Sequence, residues 1–503
     1  MRKKVIIIGA GIGGLSASIQ LAHAGFDVTV LEKRSVPGGK IIQIKKDGFT
    51  FDGGASFITL TKVYEDFFNS VGKKRSDYIH WEQMKINTTF HFANGKLFSL
   101  FSNEEKVRQE IVKRFPGNEV GFDRFMKTAA RIYSILYEGP QYAQRNYHKL
   151  MGFDYLLNPR AIPHLAILNI HKSWQKLVQE CFSAPELQAV FSYQATFMGM
   201  HPKDALATYS FLTWAEIKDG MFQVKGGTYG IVEGFYTLAK ELGVRFMFDS
   251  EVNGLEHSGK NITGVKVHSD VIPADIVVSN TDGAYFYQKL IPQKHNNHFK
   301  EPKLRSMKHT NSYFTINLGL SSRLPGLDHH TFYIGKDWPE YFNLLFQSGS
   351  VQKLSNANLC YYVIQPVSEA DTMAPPGKST LFILAPVPGY DPGFDWEKYE
   401  DSFKNIIYDS FQMRSGINLR ELVEVEEIYS PARWGKEFNL WENIILGFSL
   451  NFFQINNFRM PNKSREFDNL YFAGTSTIPG PGLPPCITSG RLVTERILEH
   501  ETP

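Results

Sequence analysis

Residues 4–15 read KVIIIGAGIGGL, and residues 16–32 continue SASIQLAHAGFDVTVLE. Residues 4–9 form a short unbroken apolar run, the pattern of a parallel strand buried on both faces. GAGIGG then turns the chain, residues 15–25 form a helix ending at Gly25, and FDVTVLE forms a second strand. Gly9, Gly11 and Gly14 stand in GxGxxG register. Gly9 permits the tight turn, Gly11 lets a pyrophosphate approach the backbone, and Gly14 lets helix and strand pack closely. The helix N-terminus offers free N–H groups and partial positive charge to phosphates. Glu32 ends the second strand, 18 residues beyond Gly14, where a carboxylate accepts ribose hydroxyls. Strand, turn, helix and acid together predict a dinucleotide site.

The rest of the composition narrows the class. At 503 residues the chain is too long for one simple core, so two or three domains or one interleaved unit are expected. Its 54 basic and 51 acidic residues nearly cancel, which gives no reason to invoke nucleic acid. Aromatic residues make up 14%, with phenylalanine and tyrosine dominant, which points to large apolar cavities or surfaces. Cys181, Cys360 and Cys486 lie more than about a hundred residues apart, so neither a disulfide framework nor a metal spacing is expected. That spacing favours a reducing cytosol. The glycines at 9, 11, 13 and 14 break the N-terminal apolar run, against a signal peptide. No apolar window is long enough to span a bilayer.

Glu32 is followed by KRSVPGGK, placing Gly38, Gly39 and Lys40 six to eight residues after the acid, and KKDGFTFDGGAS (45–56) adds a second small-residue turn. This arrangement resembles the FAD-binding signature of glutathione-reductase-like flavoproteins. No second strand–GxGxxG–helix–acid unit appears; KGGTYGIVEGF (225–235) has the wrong spacing, so a separate nicotinamide domain is not expected. Near the other end, GTSTIPGPGLPPCITSG (474–490) is a stiff, small-residue loop between a short buried strand, DNLYFAG (468–474), and a helix. Such a loop can run close to a ring system, and the helix after Pro485 aims its N-terminus back at it, which suits a flavin. Both chain ends then belong to one domain.

Between the ends, residues 103–139 and 175–224 read as largely helical, 244–280 as short strands, 310–390 as strand-rich, and 396–411 as a helix. The expected division is a cofactor domain from 1–75, 226–290 and 445–503, a substrate domain from 76–121 and 291–444, and a helical subdomain over 122–225. Residues 151–174, MGFDYLLNPRAIPHLAILNIHKSW, mix apolar and aromatic residues with Arg160, His164, His171 and Lys172. They suit either an interfacial membrane segment or an internal helix–loop–helix.

The motifs together resemble bacterial carotenoid desaturases of the phytoene desaturase type, above all the dehydrosqualene (diapophytoene) desaturases. The likeness covers the whole chain. It is carried by VIIIGAGIGGLSAS, EKRSVPGGK, DGFTFDGGAS, FMGMHPKDALATYSF (197–211), GMFQVKGGTYGIVEGF (220–235) and LYFAGTSTIPGPGLPPCITSG (470–490). One departure is Pro485–Cys486, where the family commonly has a small residue and an aliphatic. The resemblance implies an α/β, glutathione-reductase-like Rossmann FAD-binding fold with a sheet-containing substrate domain and a helical membrane-associating insertion. It also implies FAD-dependent dehydrogenation of a long hydrophobic polyisoprenoid, with oxygen or a quinone as electron acceptor. The expected cofactor residues are Gly9, Gly11, Gly13, Gly14, Glu32, Lys33, Gly38, Gly39, Lys40, Gly54, Ala55, Val252, Gly474, Thr475, Gly482, Leu483 and Pro484. A substrate of about thirty carbons, at roughly 0.8 kcal/mol per buried methylene, resists water by the order of 20 kcal/mol. Peripheral docking on the lipid surface at the cytoplasmic face of the membrane is therefore expected, through residues 122–175.

The C–H bonds removed need no nucleophile or metal. Glu216, Arg160 and His201 are the candidates for a base or cation-stabilising group, with Glu216 first; each also reads as structural. The sister terminal oxygenases, which form aldehydes from diaponeurosporene-type carotenoids, share most of the motifs. A flavin-dependent amine oxidase, a flavin-free lipid carrier of similar fold and a flavin-dependent isomerase are the other readings.

Overall fold

The N-terminal apolar run is the middle strand of a five-stranded parallel sheet. The strand order is Leu470–Phe472, Ile276–Ser279, Lys4–Ile8, Asp27–Leu31, Arg245–Met247. The computed structural model describes residues 2–54, 57–138, 166–366, 373–455 and 458–503. Two-sided burial explains why KVIII is apolar without alternation. Val5 and Ile7 pack among Leu15, Ile19, Phe235 and Val493, while Ile6 and Ile8 pack among Val252, Leu255, Ile262 and Val265. The first side carries the helices Ile12–His23, Gly230–Glu241 and Leu483–Leu498; the second carries an antiparallel meander, Val252–Ser258, Asn261–Val267 and Asp270–Pro273.

The first and last helices cross closely. A Cβ on Gly490 would lie 2.6 Å from the Ala17 nitrogen, and the Ser16 hydroxyl donates to the Ile487 carbonyl at 2.8 Å. A short strand from residue 470 onward thus joins the sheet begun at residue 4. The first helix starts at Ile12, earlier than expected, because the Leu15 N–H already bonds the Gly11 carbonyl inside the glycine turn. The last helix starts at Leu483 and holds both prolines in its first turn, where a missing N–H costs nothing.

A second, seven-stranded sheet has the order Val423–Tyr429, Ser312–Leu320, Ser379–Val387, Tyr361–Ile364, His330–Ile334, Thr88–Phe92, Leu97–Leu100. All its pairings are antiparallel except His330–Ile334 with Thr88–Phe92. Its central strands, Ser312–Leu320 and Ser379–Val387, are buried throughout. The hairpin Ile42–Lys46/Phe49–Gly53, drawn from the N-terminal segment, packs on this sheet: the Phe49 ring covers Gly319, and Lys46 pairs with Glu427 at 2.7 Å.

The helical segment departs from expectation in two places. Phe222–Val224 is a strand paired with Trp81–Gln83, not the end of a helix. The helix Glu119–Tyr133 turns its apolar face inward, burying Phe122, Phe125, Met126 and Ile132. Leu168 is also buried, in the core beneath the parallel sheet. Those side chains are occupied by the protein's own core, so they do not form the docking surface expected over 122–175. Most of 151–174, including Arg160, His164 and Leu165, lies outside the described residues. Among the described residues no helix is long and apolar enough to cross a membrane.

Candidate active site

A cavity of about 500 Å³ opens at the C-terminal ends of the parallel strands, the position where α/β sheets bind ligands. One end is walled by Glu32, Lys33, Glu251 and Val252, the middle by Gly9, Gly11, Gly13, Gly38, Gly39 and Lys40, and the far side by Gly474, Thr475 and residues 479–486. Gly54 also faces it, and Ala55 lies outside the described residues. Gly14 does not. A Cβ there would collide with the Gly9 carbonyl, so Gly14 acts by letting helix meet strand.

Glu32 is 6% exposed, yet each carboxylate oxygen accepts only one backbone N–H: Oε2 from Ala10 at 2.7 Å, Oε1 from Arg34 at 3.0 Å. Burial pushes its pKa up, and the two amides pull it partly back. Lone pairs remain for two hydroxyls. Lys33 reaches across to the opposite wall, its Nζ donating to Asn439 Oδ1 at 2.9 Å. Lys40 is sent towards the other end, donating to the Ile445 carbonyl at 2.6 Å and to Thr475 Oγ1 at 3.4 Å. Burial lowers its pKa, opposed by Cys486 and by Asp282, whose own carboxyl burial pushes up.

Two helix N-termini face the cavity, capped by Gly11 and Gly482 with no side-chain cap and no acid in the first turn. The first helix leaves its N-terminal amides without a side-chain cap, an arrangement suited to a phosphate. In the second, Pro484 and Pro485 carry no N–H and the Cys486 N–H is spent on the Gly482 carbonyl, so Leu483 is the donor left in that turn. These features fit FAD: an acid for ribose, uncapped amides and glycines for pyrophosphate, and a small-residue loop backed by Lys40 for the ring system.

Sequence reasoning missed Asn280 and Asp282, which follow the strand Ile276–Ser279 and line the same cavity. Asn280 sits under the glycine turns: a Cβ on Gly11 would lie 2.7 Å from its Nδ2, and one on Gly13 2.6 Å from its Oδ1. The signal was available, since polar residues straight after a buried parallel strand fall where ligands bind.

Beyond the ring end the cavity continues into an apolar chamber with Phe57, Phe197, Leu212, Leu384, Leu446 and Leu450 in its walls. Gln194 is a polar side chain in that wall. Its Nε2 donates to the Tyr193 hydroxyl at 3.1 Å and to Glu216 Oε2 at 2.8 Å. Glu216 is fully buried behind Gln194, does not line the cavity, and also accepts the Tyr193 hydroxyl at 2.7 Å. Burial raises its pKa to about 7 despite these bonds. It therefore touches no reacting atom. His201 lies elsewhere, against Phe342 and Asn343, with burial lowering its pKa to about 4. Arg160 is outside the described residues.

Fold and site define a flavoprotein oxidoreductase with one dinucleotide groove opening on an apolar chamber. The chain belongs to the flavin-containing amine oxidoreductase family, whose model matches residues 12–498, and its cofactor is FAD. It is 32% identical to a zeta-carotene-forming phytoene desaturase of Myxococcus xanthus, over 99% of this chain and 94% of the relative. It is 31% identical to a 4,4'-diapolycopene oxygenase of a Methylomonas species, over 99% of this chain and 98% of the relative. The likeness to carotenoid desaturases read from the motifs is thus borne out. An oxidoreductase from Methanosarcina mazei shares the fold, with TM-score 0.62 and 16% identity over 98% of this chain and 100% of that one.

Proposed function

We propose that the protein dehydrogenates a long acyclic carotenoid precursor of the dehydrosqualene (diapophytoene) type, forming conjugated carotenes in carotenoid biosynthesis. The observation that carries this reading is that the dinucleotide groove and the apolar chamber are one cavity. A polyene inside it lies against the ring end, with no separate water-filled site between. Relatives of about 30% identity act on carotenoids.

Each cycle removes two hydrogens from adjacent carbons and adds one double bond. Bound FAD supplies the two-electron oxidant, and oxygen, giving hydrogen peroxide, or a quinone, giving hydroquinone, restores it. The chain's own residues hold and exclude. Phe57, Phe197 and Leu212 keep water from the substrate, Glu32 and the glycine turns seat the dinucleotide, and Lys40 places its amino group beside Thr475 at the ring end. Glu216 fixes the Gln194 amide in the chamber wall, acting through that residue. A substrate this insoluble is collected from a lipid surface, so the protein works as a peripheral enzyme at the cytoplasmic face of the membrane.

Co-expression with a dehydrosqualene synthase in a carotenoid-free host tests the reaction. The expected result is a yellow-to-orange pigment whose mass falls by two hydrogens per step; colourless cells sink the reading. A second reading, terminal oxygenation, is favoured by the likeness to the diapolycopene oxygenase. It takes over if only a supplied yellow carotenoid changes, gaining an aldehyde oxygen.

A further inference from the structure

Phe452 and Phe453 are 41% and 75% exposed, side by side in a chain that buries most of its phenylalanines. The stretch that carries them is held firmly at Asn451 and Gln454. Gln454, itself buried, exchanges two hydrogen bonds with the Lys308 backbone, both at 2.7 Å. The Arg459 guanidinium, 2% exposed, donates to the carbonyls of Thr475 at 2.6 Å, Thr477 at 2.9 Å, Phe448 at 3.3 Å and Gln454 at 3.4 Å. Asn451 caps the turn by accepting the Phe453 N–H at 3.0 Å. A stretch pinned at Asn451 and Gln454 presents the Phe452 and Phe453 rings by construction, since apolar rings free to move would fold back.

Two further facts say what covers them. Leu450 and Ile455, in the same loop, line the apolar chamber, so the exposed rings and the chamber wall are continuous. Beside them stands Lys308, its side chain 62% exposed and paired to Asp204 at 3.2 Å. Aromatic rings bordered by a long, exposed lysine side chain form a composition that seats in a lipid headgroup layer.

We infer that the stretch Asn451–Ile455 is the surface by which the protein docks on the bilayer, with Phe452 and Phe453 entering the acyl boundary. It rests on the proposed carotenoid reaction, because the chamber it adjoins must be filled from lipid. The chain enters beside Leu450 and Ile455 without crossing water.

Co-sedimentation with phosphatidylcholine vesicles, with and without phosphatidylglycerol and carrying no substrate, tests the surface alone. The wild-type holoenzyme should sediment with both kinds of vesicle. The double variant Phe452→Asp/Phe453→Asp should lose at least about tenfold in its bound-to-free ratio, since each ring transferred to lipid is worth more than a factor of ten. It should keep its flavin, and its turnover of detergent-dispersed substrate should match wild type. Phe453→Trp should bind at least as well as wild type. Unchanged sedimentation of the double variant, a wild type that never sediments, or an effect confined to self-association on a sizing column overturns the inference. A wild type that binds vesicles but leaves detergent-dispersed carotenoid precursors unchanged overturns the proposed reaction and not the docking surface.

Discussion

A Cβ added to Gly13 would stand 2.8 Å from the backbone nitrogen of Gly474, a residue 461 positions further along the chain. The first turn of the first helix and the loop after the last strand are in near-backbone contact, and the dinucleotide groove runs over their junction. Gly13 needs no unusual backbone angle, so a substitution there acts by volume alone. Gly13→Ala should destabilise the holoenzyme by about 1–3 kcal/mol, the usual cost of overpacking, and lower flavin occupancy. Thermal unfolding together with the flavin-to-protein absorbance ratio measures both; normal values in each would mean that the junction is loose.

Glu32 accepts the amides of Ala10 and Arg34, and in the proposed site it also takes the ribose hydroxyls. Glu32→Ala should weaken FAD binding by about 1.5–3 kcal/mol, the range for hydrogen bonds to a charged group. Glu32→Gln keeps one carbonyl acceptor and should fall between. Flavin titration of the apoproteins gives the order.

Glu216 makes stability depend on pH in a definite sense. Its folded pKa, about 7, lies above the ordinary carboxyl value because burial penalises the charge more than Tyr193 and Gln194 relieve it. The folded state therefore holds a proton that the unfolded state has released. The resulting stabilisation is complete below the ordinary carboxyl pKa and is lost as pH rises towards about 7. Glu216→Gln removes the titration. The difference in unfolding temperature, variant minus wild type, should become more positive between about pH 5 and about pH 8. A constant difference would show that Glu216 is ionised throughout.

Cys486 lies in the cavity wall near the ring end, where some flavoproteins form a covalent link. Burial pushes its thiol up to about 11, with Lys40 pulling only partly against that. A thiol held protonated is a poor nucleophile. Acid precipitation should leave the flavin in a yellow supernatant, and Cys486→Ser should bind it as wild type does. A yellow pellet that turns white in the variant would establish the covalent bond.

The elements legible in the sequence were those whose chemistry is local. GxGxxG followed by a helix, Glu32 at a strand end and the proline-rich loop before the last helix each carry their meaning within about twenty residues. Backbone sterics, helix dipoles and strand burial act over that range. What neighbours along the chain could not specify was decided by packing. Asn280 matters because the strand Ile276–Ser279 lies between Lys4–Ile8 and Leu470–Phe472, which brings its amide under three distant glycines, Gly11, Gly13 and Gly474. Glu216 stands in a helix whose sequence does not distinguish a cavity wall from the core behind it, and only tertiary contacts put Gln194 in front of it. The aromatic side chains of 119–138 and those of 452–458 look alike as sequence. The helix Glu119–Tyr133 finds partners among Phe182, Phe191 and Trp214, whereas Phe453 meets the Phe452 ring and stays 75% exposed. Hydrophobicity belongs to a residue; whether core or solvent receives it is a property of the surfaces the fold brings opposite.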